Sequence, residues 1–340
     1  MEIMRQPIFI VKGEPAMQFY FAPLEGVTGY QFRTLHHRFF PGVDKYFTPF
    51  LATNQNHKFG AREMRELLPE HNAGLTVVPQ LLSRVAEDFL WAANLCGQLG
   101  YTEVNLNLGC PSGTVAAKGK GSGFLSDPDA LSRFLDLIYS RAEIAVSIKT
   151  RLGGTDPEEF PSLLALFNRY PVSELIIHPR VRTDFYRHPV RLESFAHAVT
   201  HSHIPVCYNG DLVTAGGYAC FTARFPTVAR VMLGRGLIGD PALLQKLRGE
   251  PLPTRDTLRA FHDALFEAYL GSFGRPRHTV CHMKEVWFYL LDLFEGGSDL
   301  RKALHKAASV EDYRAFVAGV FRLPLREDSA AGWLPSRPQF

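Results

Sequence analysis

Residues 103–149 read EVNLNLGCPSGTVAAKGKGSGFLSDPDALSRFLDLIYSRAEIAVSIK, and this stretch decides the fold. Its two ends, 103–108 and 145–149, are short β-rich runs, whereas 128–141 has the spacing of an amphipathic helix. Parallel strands need a crossover connection of this length, and that connection is usually a helix. The stretch therefore predicts one strand–helix–strand unit with parallel strands.

The same alternation extends in both directions and gives eight strand–helix pairs in about 240 residues. Strands are predicted at 19–22, 45–48, 75–80, 103–108, 145–149, 174–177, 205–208 and 230–233. Helices are predicted at 31–40, 86–99, 128–141, 157–170, 192–201, 215–225 and 241–248, and a less regular stretch ends near residue 68. This number of units is typical of a (β/α)8 TIM barrel. A doubly wound sheet is the alternative, but it rarely carries eight evenly spaced units.

The pattern changes after Pro251 and Pro253. Three amphipathic helices, at 258–270, 280–294 and 310–321, follow with no β signal between them. We therefore expect two domains, a catalytic barrel over 1–250 and a smaller all-helical domain over 254–330, with a loose tail from Arg326.

Composition limits the class of protein. The 340 residues carry 37 Lys and Arg against 34 Asp and Glu, a net charge of +3, which excludes a purely electrostatic nucleic-acid binder but permits a local basic face. The 5 cysteines are scattered, so neither a disulfide framework nor a structural zinc site is expected. Without an apolar run of about 18 residues no membrane span is expected. We expect a soluble, cytoplasmic monomer that binds no metal, and interpret His197, His201 and His203 as a solvated helix end.

Active sites of such barrels lie at the carboxyl ends of the strands. Polar or turn-forming residues follow every predicted strand: Pro23, Leu24 and Glu25; Thr48 and Pro49; Gln80; Asn105, Asn107 and Cys110; Lys149 and Arg151; His178 and Arg180; Asn209, Gly210 and Asp211; Gly234 and Arg235. Polar residues end most strands, but eight out of eight with side chains suited to a planar polar ligand indicate a binding site.

The last two strands favour a phosphate site. Gly210 and Gly234 stand beside Arg235, and barrels often bind phosphate at these two loops. His178 and Arg180 could reach the same group. The alternative interpretation is that both glycines only form turns.

Lys149 ends an otherwise apolar strand, where a lone inward-facing cation is costly without an anionic partner. A reduced flavin, with negative charge along one ring edge, is one such partner. An internal ion pair with a carboxylate such as Glu25 is the alternative. Gln80 offers a donor and an acceptor together, as a pyrimidine-type ring edge requires.

Cys110 is the candidate for proton transfer, because it follows the fourth strand at the barrel mouth. Cys96, Cys207 and Cys220 occur in helix or strand contexts, where cysteine is usually a small core residue. The glycine-rich run at 118–123 is expected to belong to a mobile loop that carries Cys110 over the substrate, with Lys118 and Lys120 available to a phosphate backbone. Arg275 and Arg277, with His278 and Lys284, form a basic patch that is either a solvated face or an RNA contact.

Seven segments taken together resemble the tRNA-dihydrouridine synthase family. They are Ala22–Thr28, Pro79–Leu81, Asn107–Ser112, Ser147–Arg151, Ile177–Arg180, Tyr208–Asp211 and Leu233–Gly236, and they run in the family's order. Each is weak alone, whereas the set is specific. The resemblance spans about residues 19–245, and the trailing helical region also fits it.

The resemblance implies an FMN-binding barrel whose flavin, reduced by NADPH or NADH, passes a hydride to C6 of a tRNA uracil. Cys110 matches the cysteine that delivers a proton to C5. The carried-over flavin contacts are Pro23, Leu24, Glu25, Gln80, Lys149, His178, Arg180, Asn209, Gly210, Asp211, Gly234 and Arg235. We expect Asn105, Asn107, Arg151, Lys118, Lys120, Arg275 and Arg277 to contact the tRNA substrate.

The chain departs from the family pattern at a few positions. Leu24 stands where Met is commoner, Gly29 where Asp is frequent, and Pro179 where Gly is usual. The segment 181–188 also differs. Neither Cys110 nor Lys149 is among these departures.

Two other functions remain open at this point. The first is a flavin dehydrogenase that acts on free pyrimidines and resembles dihydroorotate dehydrogenase. That family uses similar barrel chemistry, but it lacks the helical domain and the 118–123 loop that this chain has. An RNA-binding module that keeps a flavin barrel without turnover would not need Cys110.

Overall fold

The computed structural model describes residues 16–326. Its strands are all parallel members of one sheet. They are β1 (Gln18–Phe21), β2 (Lys45–Phe47), β3 (Leu51–Ala52), β4 (Val77–Val78), β5 (Gln80–Leu82), β6 (Glu103–Leu108), β7 (Ala145–Thr150), β8 (Leu175–Ile177), β9 (Val206–Tyr208) and β10 (Arg230–Leu233).

These ten segments form eight barrel strands, because two strands are interrupted at prolines. Pro49 lies between β2 and β3, and Pro79 lies between β4 and β5; proline has no N–H to give to a sheet. At one end of the pairing order β3 pairs with β5, and at the other end β2 pairs with β4. Because β4 and β5 are two parts of the same barrel strand, residues 77–82, the two ends of the sheet meet there. The sheet is therefore closed, and the predicted (β/α)8 barrel is confirmed.

The α-helices alternate with the strands and then continue alone. They are α1 (Tyr30–Phe39), α2 (Ala61–Leu67), α3 (Ala86–Gln98), α4 (Gly113–Ala116), α5 (Pro128–Arg141), α6 (Phe160–Phe167), α7 (Leu192–His201), α8 (Ala215–Arg224), α9 (Arg235–Gly239), α10 (Leu243–Arg248), α11 (Arg255–Phe273), α12 (Pro276–Leu290), α13 (Arg301–Lys306) and α14 (Val310–Val320). The predicted C-terminal helical region is confirmed. The short helices α4, α9 and α13 were not predicted, because one or two turns leave too little periodicity to detect.

Two hydrophobic cores result from the alternation of side chains along each strand. Inward-facing residues, among them Tyr20, Phe47, Ile176 and Met232, form a small cluster inside the barrel. Outward-facing residues pack under the surrounding helices in one large core, which also includes residues of the helical region. The barrel is thus filled below its mouth, so that a ligand can enter only from the end where the strands terminate.

The helical region packs against the first helix of the barrel. Phe261 of α11 makes edge contacts with Phe32 and Phe40, with ring centroids 5.7 and 5.3 Å apart. The Tyr269 hydroxyl donates to the Val27 carbonyl at 3.2 Å. These contacts hold α11 and α12 beside the barrel mouth.

The proposed domain boundaries stay predictions. α10 ends before Gly249, which has φ +65°, and α11 begins at Arg255. Residues 1–15 of the expected barrel, residues 327–330 of the expected helical domain and the tail beyond 326 lie outside the described residues. Within 16–326, no helix is both long enough and apolar enough to cross a membrane.

Candidate active site

Two adjoining cavities lie at the carboxyl ends of the strands. Their volumes are about 140 and 300 Å³, and together they reach the size range of small-molecule pockets. The smaller reaches the loops after β9 and β10, and the larger reaches Gln80 and Cys110. They share the lining residues Pro23, Leu24, Lys149, His178, Tyr186 and Tyr289. Together they form one cleft. We call the smaller cavity the anion end of this cleft and the larger cavity its ring end.

The anion end is built around Asp211. Its carboxylate accepts hydrogen bonds from both terminal nitrogens of the fully buried Arg180 and from Arg235 Nη2 at 2.7 Å. Asp211 adopts φ +47°, a left-handed conformation that Asp tolerates better than most residues. We predicted Asp211 as a flavin contact. It does line the smaller cavity, but its carboxylate is already paired with two arginines, which it holds in place.

Small residues open the anion end. A Cβ on Gly210 would lie 2.8 Å from Val190 Cγ1, which is closer than real side chains approach. Asn209, the preceding residue, is fixed by a 2.8 Å hydrogen bond from Nδ2 to the Met232 carbonyl. A side chain at residue 210 would therefore have to displace Val190, so close packing favours glycine there.

His178 is surrounded by cations. Burial lowers its pKa well below the usual range, and the charges of Arg151, Lys149, Arg180 and Arg235 lower it further. Arg180 Nη1 lies 2.9 Å from His178 Nε2, and arginine can only donate. The imidazole is therefore neutral, with Nε2 as acceptor and its proton on Nδ1.

Lys149 lies between the two ends of the cleft. Burial lowers its pKa to about 8, and Arg151 lowers it in the same direction. Among residues 16–326 the ammonium has neither a hydrogen bond nor an ion pair in the protein. The alternative pairing with Glu25 is wrong, because Glu25 lies 2.5 Å from Arg62 Nη2 and forms its ion pair there.

A chain of side-chain hydrogen bonds crosses the floor of the ring end. Asn105 Nδ2 donates to Ser147 Oγ at 2.9 Å, and Gln80 Nε2 donates to Asn105 Oδ1 at 2.8 Å. Asn107 Nδ2 donates in turn to Gln80 Oε1 at 2.7 Å. Asn105 is fully buried under Gln80 and lines neither cavity, so it holds Gln80 instead of reaching substrate as we expected.

Cys110 lies at the end of this chain. Its backbone N–H and that of Gly109 donate to Asn107 Oδ1 at 2.9 and 3.0 Å. Burial raises the pKa of the thiol, against smaller opposing effects of a Ser112 backbone hydrogen bond and the Arg151 charge. The thiol therefore keeps its proton near neutral pH while it lines the ring end.

The glycine run beside Cys110 is packed and not an open loop. Ser122 donates from both its backbone N–H and its hydroxyl to the Cys110 carbonyl, at 3.1 and 2.7 Å. Gly121 has φ +57°, and a Cβ there would lie 3.0 Å from Cys110 Cβ. The expectation of a mobile loop over the substrate is therefore wrong. The glycine run packs behind Cys110 and supports it.

Arg151 lines the ring end but also organises a loop. It donates from Nε to the Gly109 carbonyl at 2.9 Å and from Nη1 to the carbonyls of Val181 and Phe185 at 3.0 and 2.9 Å. Phe185 has φ +50°, a strained value for a bulky residue. The arginine thereby fixes the 181–188 segment over the cleft.

Tyr186 is a site residue that our sequence reasoning missed. Its ring lies 4.7 Å from the Arg235 guanidinium carbon, 5.2 Å from that of Arg151 and 5.8 Å from the His178 ring centroid. It lines both cavities. The available signal was its position in the segment that departs from the family pattern.

Tyr289 and Glu285 were missed for a different reason. Both belong to α12 of the helical region, and both line the ring end. The helix pattern predicted α12 but could not say which part of it would reach the barrel mouth. The helical region therefore completes the site and is more than an appendage.

The remaining predicted substrate contacts lie outside the cleft. Lys120 donates to the Thr53 carbonyl at 3.0 Å, and the Lys118 carbonyl accepts from Arg84 at 3.2 Å. Arg275 and Arg277 are exposed at the start of α12. None of the four lines the ring end, so they can act only on parts of a ligand that extend beyond it.

The departures at Gly29 and Pro179 have local explanations. A Cβ on Gly29 would lie 3.1 Å from Glu66 Oε1, so an Asp there would face a carboxylate. Pro179 lies in a tight turn in which Arg180 N–H donates to the His178 carbonyl at 2.7 Å. That turn brings the two side chains together without the usual glycine.

The residues of the cleft fit a flavin mononucleotide. Lys149, Arg151 and Arg235 line the cleft, and the buried Arg180 lies behind it, paired with Asp211. Such an excess of buried positive charge favours the binding of an anion. Arg235 and Gly234 would receive the phosphate, and Lys149 and Gln80 the polar edge of the ring.

Comparisons with known proteins agree with this geometry. Residues 20–318 match the sequence family described as "Dihydrouridine synthase (Dus)". Similar curated proteins include a probable tRNA-dihydrouridine synthase of Rhodobacter capsulatus, 26% identical over 79% of this chain and 84% of that protein. A tRNA-dihydrouridine(16) synthase of Ralstonia nicotianae is 28% identical over 67% of this chain and 72% of that protein.

Among solved structures, morphinone reductase is similar in fold. The two chains superimpose with a TM-score of 0.50 at 14% identity, over 70% of this chain and 87% of that one. This likeness supports the barrel architecture alone.

Proposed function

The chain belongs to the dihydrouridine synthase family, and from that premise we propose that it reduces the C5=C6 bond of specific tRNA uridines to 5,6-dihydrouridine. FMN is the proposed cofactor, and NADPH or NADH the proposed reductant. The single observation that carries the proposal is that one cleft joins a cation-rich anion end, the Lys149 ammonium and a protonated Cys110 thiol.

Each residue of the cleft has a proposed task. When bound, FMN supplies the hydride that C6 of the uracil accepts. Lys149 stabilises negative charge on the polar ring edge, and Gln80, fixed by Asn105 and Asn107, presents one remaining donor and one remaining acceptor site. Arg235 faces the phosphate, whereas Arg180, which we predicted as a flavin contact, lines neither cavity and instead holds Asp211 beside Arg235.

Cys110 completes the reduction as the general acid. Its Sγ–H bond breaks as a C–H bond forms at C5, and together with the hydride at C6 this saturates the double bond. A thiol with a raised pKa keeps the proton until it is needed. The Asn107 hydrogen bonds to the backbone of residues 109 and 110 hold that thiol at the ring end.

A uridine inside a folded tRNA must leave its stack to enter the cleft. Arg275 and Arg277 at the start of α12, together with Lys118 and Lys120, are the proposed contacts to the phosphate backbone. A helical domain over 254–330 would then orient the tRNA. We further propose that the enzyme works in the cytoplasm as a monomer and without a metal ion.

The deciding experiment is an absorbance spectrum followed by anaerobic turnover. We expect a yellow protein that NADPH bleaches and that unmodified tRNA reoxidises. Reoxidation by uracil or orotate but not by tRNA would favour a dehydrogenase of free pyrimidines. Bound flavin that no substrate reoxidises would indicate a binding module, and a protein that cannot be loaded with FMN would refute the site.

A further inference from the structure

A second pocket adjoins the ring end on the side of the helical region. Its volume is about 460 Å³, and its walls include Tyr30, Phe50, Arg62, Arg65, Phe273 and His282. It shares Glu25, Pro49 and Phe50 with the ring end, so these three residues separate the two spaces. A ligand in the ring end therefore has the second pocket as an immediate neighbour.

Aromatic rings form part of the walls of the second pocket, beside charged side chains. The Tyr30 ring lies parallel to that of His71, with centroids 4.1 Å apart, and the Phe273 ring lies parallel to that of Tyr269 at 5.7 Å. His282 stands nearly perpendicular to both Tyr269 and Phe273. Rings held by such contacts lose little entropy when a further planar group packs on them.

His282 has hydrogen-bonding capacity that the protein does not use. Within 16–326, its Nε2 is a buried atom without a partner. Burial, and then the nearby Arg62, lower the pKa of this histidine to about 4, so that it is neutral at pH 7. A neutral imidazole can donate to or accept from the edge of a polar ring.

The charges of the second pocket distinguish it from the anion end. Glu25, Glu63 and Glu66 line it together with only two arginines, of which Arg62 is already paired with Glu25. The phosphates of a nicotinamide dinucleotide would face those carboxylates. A nucleobase carries no such charge, and carboxylates accept hydrogen bonds from the amino groups of bases.

We propose that the second pocket binds a base of the tRNA next to the uridine that is reduced, so that the enzyme holds two neighbouring bases on either side of Phe50. This inference rests on the proposed function. It assigns to Phe273, Tyr30 and His282 the stacking and recognition of the second base. The pocket would thereby make the choice of uridine depend in part on the neighbouring nucleotide.

Two variants test the second pocket on the flavin-loaded protein. Phe273→Ala removes an exposed wall, and Ser272→Trp fills the pocket from the same helix. Each should weaken tRNA binding about tenfold, the size expected for one base–aromatic contact, and should leave the rate of flavin reduction by NADPH unchanged. Leu137→Ala, an exposed apolar residue on α5 outside the pocket, is the matched control and should change neither.

A tRNA transcript with an abasic site 5′ or 3′ of the reduced uridine completes the test. One of the two should bind the unmutated protein about tenfold more weakly, and Phe273→Ala should not weaken its binding further, because both changes remove the same contact. The inference would be overturned if the losses of affinity from Phe273→Ala and from the abasic site were additive, or if Phe273→Ala and Ser272→Trp both bound tRNA normally. In either case, turnover by the unmutated protein would still support the proposed function. Slower reduction by NADPH with unchanged tRNA binding would assign the pocket to the reductant instead. Failure of tRNA to reoxidise the unmutated enzyme would refute the proposed function itself.

Discussion

Asn107 lies between the floor of the ring end and the cysteine, and it donates to Gln80 Oε1 at 2.7 Å while its own Oδ1 accepts from the backbone N–H groups of residues 109 and 110. One amide side chain therefore sets the position of Gln80, which we propose to face the polar edge of the flavin ring, and of Cys110, which we propose to face the uracil. An amide is needed for this, because a carboxylate could not donate to Gln80.

We accordingly expect Asn107→Asp to slow the reduction of tRNA while the protein still binds flavin. Its carboxylate would repel Gln80 Oε1 and leave the loop at 109–110 differently placed, and misplacing a catalytic group by about 1 Å can cost about 100-fold. Because Gln80 is one of several proposed flavin contacts, the affinity for FMN should fall less than the rate of reoxidation by tRNA. The measurement is single-turnover reoxidation by tRNA, and a normal rate would show that the network does not position Cys110.

Replacing Cys110 separates the acid from the hydride donor. Cys110→Ala should retain flavin and its reduction by NADPH, whereas reoxidation by tRNA should slow by about 10²- to 10⁴-fold, the usual contribution of a general acid. Cys220→Ala, at an exposed cysteine on α8, is the control and should behave like the unmutated protein. Full turnover by Cys110→Ala would remove the cysteine from the proton-transfer step.

The affinity for FMN should depend on pH through Lys149. Its pKa is about 8 in the folded protein against an ordinary value of 10.5, so between these values the folded chain has lost a proton that the unfolded chain keeps. The lysine's contribution to stability without flavin therefore rises over this interval. An anionic ligand binds the protonated form better, so FMN affinity should fall as pH rises above about 8.

Titration of the flavin-free protein with FMN at pH 7 to 9.5, followed by fluorescence quenching, measures this effect. Calorimetry in buffers of different ionisation enthalpy should record proton uptake on binding near pH 9. In Lys149→Gln the affinity should be weaker at pH 7 and nearly independent of pH. An equal pH dependence in that variant would assign the titration to another group.

Asp211→Asn should destabilise the flavin-free protein more than the loaded one. Removing the carboxylate leaves Arg180, which is fully buried, beside Arg235 without their shared partner, and breaking a buried ion pair typically costs about 3–5 kcal/mol. A bound phosphate would restore negative charge at that place. The increase in unfolding temperature on adding FMN should therefore be larger for the variant than for the unmutated protein.

Glu193→Gln is the control for this comparison, because Glu193 pairs with Arg224 on the surface and its side chain is 86% exposed. Such pairs contribute about 0–1 kcal/mol, so the variant should unfold like the unmutated protein with and without FMN. If FMN stabilised Asp211→Asn less than the unmutated protein, the carboxylate would have to contact the flavin directly.

The sequence predicts the barrel and the residues at its mouth well because both follow from local patterns. Lys149, His178 and Asn209 converge since each lies at or directly after the end of a parallel strand, and barrel geometry brings those ends together. Their partners are less predictable. Nothing local indicates that Glu25 pairs with Arg62 or that Asp211 holds two arginines, because these contacts depend on how separate loops fold over one another.

Tyr186 and Tyr289 mark the limit more clearly. Tyr186 reaches the cleft only because Arg151 fixes the carbonyls of Val181 and Phe185. Tyr289 reaches it because α11 packs on α1 through Phe261. The positions of both tyrosines depend on tertiary contacts. Helical periodicity and strand spacing carry no information about such contacts.

Closure of the barrel also sets an order for its assembly on the ribosome. The first strand pairs with the last, and Gln18 accepts a hydrogen bond from Arg230, 212 residues further along the chain. Contacts between such distant segments form late, both in refolding and during synthesis, which proceeds from the N-terminus. Pro23 and Leu24, on the first strand's loop, thus meet Gly234 and Arg235 only after nearly the whole barrel has been made. A growing chain has no complete place for the flavin until then, so cofactor capture follows barrel closure and cannot nucleate it.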